Sequence, residues 1–150
     1  MRTSDRDSSN IYYNARRSAG LTQERWSEMI GCSPDSVRNY EADAQIPGDA
    51  IVKKMCEIAG TPALAYWHLC RKSELAAETL PEVEQLPLPQ AVIQLVCAIR
   101  DFKDHNDALL DMAVDGKIDA DERLGWEGVV ARLDDVIRAA IQVKIAEGGT

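Results

Sequence analysis

Apolar positions in the first half of the chain recur at helical spacing in short runs, each closed by a cap or breaker residue. Residues 10–19 read as one helix, with Gly20 just past its end. Thr22 offers an N-cap hydroxyl to a second helix over residues 23–30, where Trp26, Met29 and Ile30 share a face and Gly31 ends the run. Ser33 caps a third helix that runs to about Ala42, with Pro34 at the first helical position, where a missing N–H costs nothing. After the loop 43–48, Asp49 is expected to cap a fourth helix carrying Ile51, Val52, Met55, Cys56 and Ile58, stopped by Gly60. Thr61-Pro62 opens a fifth, through Leu64, Trp67, His68 and Leu69, that fades after Leu75.

The pattern then changes. Residues 79–90 contain Pro81, Pro87 and Pro89 among Leu80, Leu86 and Leu88, which predicts an extended linker whose leucines dock on a neighbour. Beyond it Val92, Leu95, Ile99, Phe102, Asn106, Leu109 and Ala113 step by three and four, and Trp126, Val130, Leu133, Ile137 and Ala140 form a second stripe. Two helices of about 25 residues, near 38 Å each, joined by a short turn predict an antiparallel hairpin. Stripes this wide exceed what two helices can bury against each other. Either the first domain or a second copy must cover them, and a second copy completing a four-helix bundle is favoured, with Val92, Leu95, Ile99, Phe102, Asn106, Trp126, Val130, Leu133 and Ile137 as its dimerisation residues; Asn106 either fixes register or sits exposed at a splayed end. The expected layout is therefore all-α: a flexible 1–9, a five-helix domain over 10–75, a linker over 76–90, and a helical hairpin over 91–147 for oligomerisation.

The chain has 150 residues, 45% hydrophobic and 28% charged, with 9 Gly and 6 Pro, ordinary globular values that speak against a loop-rich β-fold. No apolar run approaches a membrane span and the amino end lacks an apolar signal region, so a cytoplasmic protein is expected. The net charge of −8 is uneven: residues 1–72 carry a net +1 and residues 73–150 a net −9. An acidic second half is repelled by phosphate backbones. Any nucleic-acid contact must come from the first half, which holds the basic pairs Arg16-Arg17, Lys53-Lys54 and Arg71-Lys72. The acidic half suits a protein partner. Cys32, Cys56, Cys70 and Cys97 form no C-x-x-C pair, and with only His68 and His105 beside them a zinc site is not expected. Trp67, His68 and Cys70 either line a pocket or pack against the linker leucines.

The most specific signal runs from Leu21 to Glu41. Two capped helices separated by three residues, with Gly31 in the turn and Trp26, Ile30, Val37 and Tyr40 facing inward, form a helix-turn-helix. Leu21-Thr22-Gln23, Gly31-Cys32-Ser33, Val37, Tyr40 and Glu41 resemble the Cro/phage-repressor (XRE-like) family of bacterial regulators, and the five-helix layout agrees. Trp26-Ser27 departs from that family's usual Leu-Ala pair, and Asp43 stands where many members carry Gly. The resemblance implies double-stranded DNA as partner, with Gln23 and Ser33 on backbone phosphates and Pro34, Asp35, Ser36, Arg38 and Asn39 on the exposed recognition face. Asn39 suits adenine, Arg38 guanine or a phosphate, and Asp35 cytosine. A dimer reading two half-sites about 34 Å apart is the expected arrangement.

A weaker resemblance lies in the second half. Asp111, Asp115, Asp119 and Glu122, with Gly116 and Ile118 between, are spaced as in a helix-loop-helix calcium loop, but Ala113 stands at a ligand position. A helix end at Gly116 followed by a capping box from Asp119 to Glu122 accounts for the same residues and is preferred. No metal or cofactor is expected, and neither a nucleophile with a base nor a Gly-rich phosphate loop marks an enzyme. The sequence reading is a repressor-like DNA-binding regulator of a bacterium, phage or mobile element. A phage small-terminase-like packaging protein and an interaction adaptor that has lost DNA binding are the alternatives.

Overall fold

In the computed structural model, which describes residues 10–114 and 116–147, the described residues form nine helices and no strand. The chain divides into two compact units with the boundary between Leu80 and Pro81.

The first unit holds α1 (Ile11–Ser18), α2 (Gln23–Ile30), α3 (Pro34–Glu41), α4 (Asp49–Ala59), α5 (Ala63–Lys72) and α6 (Glu74–Thr79). Local chemistry sets most of these ends. The Asn10 side chain accepts from the Tyr12 and Tyr13 N–H groups at 2.9 Å and so caps α1. Thr22 caps α2 through the Arg25 N–H, and Ser33 caps α3 through the Ser36 N–H. Gly31 ends α2 at φ +78, a left-handed conformation that a side chain resists, and a Cβ there would sit 3.2 Å from Lys54 Nζ. Trp26, Ile30, Val37, Tyr40, Val52, Met55 and Leu64 pack with Tyr12 and Ala15 into the core. These short helices depend on that burial, since none is long enough to be stable alone.

Two boundaries differ from the sequence expectation. The N-cap of α4 is Gly48, and Asp49 is the first helical residue, its carboxylate turned instead to His68 and Lys72. The fifth helix does not fade past Leu75 but stops at Lys72. Ser73 is extended (φ −124, ψ 117), and its hydroxyl accepts from the Ala76 N–H to start α6. A Ser that can cap is a better start signal than an interior residue, so the run splits.

The second unit holds α7 (Leu88–Lys103), α8 (Asn106–Ala113) and α9 (Arg123–Lys144). The stretch read as a linker over 76–90 thus includes the end of α6 and the start of α7, whose first turn accommodates Pro89. Leu86 and Leu88 are tied to the far end of the chain: Leu88 N–H donates to the Glu147 carbonyl at 3.2 Å, and Glu147 N–H to the Leu86 carbonyl at 3.1 Å. Helix α7 packs along α9, burying Ala91, Val129, Ala139 and Gln142.

The first long helix expected here is broken. Helix α7 ends at Lys103 and α8 begins at Asn106, because Asp104, His105, Asn106 and Asp107 are all weak helix formers in sequence. His105 Nδ1 lies 3.2 Å from the Asp101 carbonyl at this break. Periodicity fixes which face is apolar and says nothing about continuity. Within the single chain Asn106 is exposed at the start of α8, Val92, Ile99 and Ile137 are exposed, and Leu95, Phe102, Trp126, Val130 and Leu133 are half-buried. The turn before α9 is also longer than expected. Asp119 N–H donates to Glu122 Oε2 at 3.2 Å, but α9 starts only at Arg123. Gly116 is left-handed at φ +69, as a helix end demands. Asp115, a member of the calcium-loop spacing, lies outside the described residues. Among the described residues no group of three or more His, Cys, Asp or Glu is placed to hold a metal ion, and no helix is long and apolar enough to cross a membrane.

Candidate nucleic-acid interface

Helix α3 turns Val37 and Tyr40 into the core, which leaves Pro34, Asp35, Arg38 and Asn39 exposed on its opposite side, with Ser33 exposed at its start and Ser36 half-buried. Ser33 Oγ lies 2.9 Å from Ser36 Oγ as well as accepting from the Ser36 N–H at 3.1 Å. The exposed face of an eight-residue helix, fixed at both ends, is the shape a major groove admits.

The orientation of α3 is held by a buried ion pair that sequence reasoning missed. Arg16 of α1 donates from Nε to Glu41 Oε1 at 2.5 Å and from an end nitrogen to Glu41 Oε2 at 3.0 Å. Its other end nitrogen donates to the Leu21 carbonyl at 2.7 Å, and the guanidinium lies over the Tyr13 ring at 5.3 Å. Only 8% of the Arg16 side chain and 6% of the Glu41 side chain are exposed. One bidentate contact therefore joins the end of α3 to α1 and to the chain entering α2. The signal was available: Tyr12, Ala15, Arg16 and Ala19 step along one helical stripe, which places Arg16 inward and requires a partner.

Gln23, expected on a phosphate, donates from Nε2 to Glu41 Oε2 at 2.7 Å. It borders a polar hollow lined by Arg17, Gly20, Leu21, Thr22 and Glu24, so one amide hydrogen remains for an outside acceptor. Glu24 stands in the first turn of α2, where its own backbone N–H and then the Thr22 hydroxyl hold its carboxyl below the ordinary value. Asp35 occupies the matching place on α3 and pairs with Arg38, whose guanidinium it keeps firmly protonated. Both helix starts thus carry a carboxylate of their own, which competes with any phosphate for the helix dipole.

The basic pairs of the first half are mostly occupied. Arg16 serves Glu41, Arg25 pairs with Glu28 at 2.8 Å, Arg71 pairs with Asp43, and Lys72 donates to Asp49 at 2.5 Å. Lys54 Nζ donates to the Ile30 carbonyl at 3.2 Å, closing the end of α2. Asp43 has φ +58, the left-handed conformation that explains why glycine suits this position, and Asp tolerates it better than most residues. Its carboxylate accepts from Asn10 Nδ2 as well as Arg71, so its negative charge beside α3 is offset.

His68, read as a pocket or packing residue, is held inside the first unit. It is buried, with Nδ1 2.9 Å from the Tyr12 hydroxyl and Nε2 3.2 Å from Asp49 Oδ1. Burial pushes the Tyr12 hydroxyl above its usual range, while the Lys72 ammonium and then His68 draw the Asp49 carboxyl below its own. The four cysteines are unbridged, and burial raises the Cys32 and Cys56 thiols, which makes both poor nucleophiles.

Comparison with known proteins matches residues 13–64 to the helix-turn-helix family. Neither the curated proteins nor the solved structures yield a match. The matched segment runs from within α1 to the start of α5 and contains the caps of α2 and α3, the Gly31 turn and the Arg16–Glu41 pair described above. Residues 13–64 are a helix-turn-helix DNA-binding domain of the Cro/phage-repressor (XRE-like) type.

Proposed function

We propose that the chain is a repressor-like transcription regulator of a bacterium, phage or mobile element that reads an inverted repeat as a homodimer. The observation that carries this reading is the exposed face of α3, held by Arg16–Glu41 and by caps at the starts of α2 and α3. Asn39 and Arg38 address base edges from that face, Arg38 after releasing Asp35. Pro34 and Ser36 supply apolar and hydroxyl contacts, while Gln23 and Ser33 hold phosphates on either side.

A small domain with few free cations binds a single half-site weakly, so a second copy is needed. The second unit supports that role. Residues 88–99 contain no charged residue, yet Ile93 and Val96 are 64% and 61% exposed and Val92 and Ile99 lie beside them. An uncharged apolar face on a chain of net charge −8 suits another copy of itself, because self-association there brings no like charges into contact. This face shares Val92 and Ile99 with the expected seam and adds Ile93 and Val96.

The test is selection from random duplex DNA at low salt, followed by sequencing, on protein whose mass in solution is measured. An enriched inverted repeat with half-sites about one helical turn apart, from a dimer, is the expected result. No enrichment from folded protein would sink the regulator reading and favour an adaptor, and a ring of eight or more subunits would favour DNA packaging.

A further inference from the structure

Three residues on one face of α5 hold both ends of the loop that follows α3. Arg71 pairs with Asp43 at the loop's first residue, and Lys72 Nζ donates at 2.5 Å to Asp49 Oδ1, immediately past its last. His68 Nε2 approaches the same Asp49 oxygen from the buried side at 3.2 Å. Spacings of three and four set His68, Arg71 and Lys72 side by side on the helix. Each carboxylate is also backed by a buried group: Asn10 behind Asp43, His68 behind Asp49.

Between these ends Ala44, Gln45 and Ile46 are exposed and Pro47 is buried. The Ala44 and Gln45 N–H groups both donate to the Asn39 carbonyl, at 2.9 and 3.2 Å. Asn10 Nδ2 donates to the Tyr40 carbonyl at 2.8 Å. The loop therefore folds back on the carboxyl end of α3 at the very residue whose side chain faces outward for base reading.

We propose that Arg71 and Lys72 are positioning residues. They clamp the loop 43–48 and, through the Asn39 carbonyl, fix how α3 presents its exposed face to DNA. They are not phosphate ligands, although an Arg-Lys pair in sequence suggests that role. An isolated exposed ion pair is weak because two long side chains must be ordered. Here the carboxylates are already held by Asn10 and His68, so only the cations need ordering. The role rests on the DNA-reading function of α3, but the clamp itself does not.

The experiment compares the full wild-type chain with the Arg71→Gln, Lys72→Gln double variant and with Arg71→Lys. Without DNA, amide exchange at Ala44 and Gln45 should rise about tenfold in the double variant, while Ile30 and Met55 in the core stay unchanged. With a duplex selected from random DNA and an unselected random duplex, the affinity ratio between them should fall about tenfold. The dependence of log K on log salt should hold, and Arg71→Lys should keep most of the ratio. Equal loss on both duplexes, with the salt slope reduced by about 1.8, would make these residues phosphate contacts and overturn the proposal. Unchanged exchange at Ala44 and Gln45 overturns it as well. A wild-type chain that binds neither duplex overturns the regulator reading, and the exchange result still decides whether the clamp exists.

Discussion

Replacing Glu41 with Leu tests the central support of the reading head. The substitution leaves Arg16 buried with one of its three hydrogen bonds, the one to the Leu21 carbonyl, and removes the partner of Gln23 Nε2. Two charge-assisted bonds are lost, each about 1.5–3 kcal/mol, and water reaching the guanidinium recovers part of that. A net loss of about 3–4 kcal/mol follows, in line with breaking other buried pairs at one end. For a unit of this size that lowers Tm by roughly 15–25 °C. The assay is thermal unfolding of the full chain followed by tryptophan fluorescence in a Trp126→Phe background, where the remaining Trp26 and Trp67 both lie in the first unit. The double variant Arg16→Met, Glu41→Leu should recover to within about 1 kcal/mol of the wild type, since apolar replacements relieve the desolvation cost of both charges. A loss below about 1 kcal/mol in Glu41→Leu alone would refute the reasoning, because Arg16 would then reach solvent without strain.

Further outcomes follow from the same geometry. Asn39→Ala and Arg38→Ala should each cost about 1–3 kcal/mol of specific DNA affinity without unfolding the chain, as measured by competition against random duplex. Asp35→Asn should do the opposite for DNA in general, freeing Arg38 and steepening the salt dependence by about one contact. The Asp49 carboxyl is drawn down in the folded state, so its share of stability is complete above about pH 4 and is lost as acid protonates it. Asp49→Asn should therefore flatten the acid limb of the stability profile, and an unchanged limb would count against the His68–Asp49–Lys72 group. Val96→Glu should convert a dimer to a monomer by light scattering with the helix content intact, and a dimer that survives would move the interface elsewhere.

The helix-turn-helix was the most legible part of the sequence because its determinants are local. Thr22, Gly31, Ser33 and Pro34 each act on the backbone within four residues, and the apolar steps of Trp26, Ile30, Val37 and Tyr40 fix the inward face. The partners of the charged residues were not legible. Arg16 and Glu41 are 25 positions apart, and Arg71 and Asp43 are 28 apart, so only the fold shows that these basic residues face inward or sideways to carboxylates. The second unit was read at the level of its stripes, but periodicity cannot see the break at Asp104 and His105, where four weak helix formers interrupt a pattern whose spacing continues. It also cannot divide an apolar stripe between the partner within the hairpin and the face left outward, which is why Leu95 and Ile93 exchange emphasis.

The internal pairing of Arg16, Arg25, Arg71 and Lys72 bears on how such a protein moves through a genome. Bulk DNA acts as a reservoir that captures basic proteins along its whole length and lets them slide. A regulator with several of its cations turned to its own carboxylates, and with the acidic excess in its other half, should be held only briefly by that reservoir. Most copies should then remain in free solution and reach a site by three-dimensional diffusion. Occupancy of an operator should then track the amount of protein present rather than the amount of competing DNA.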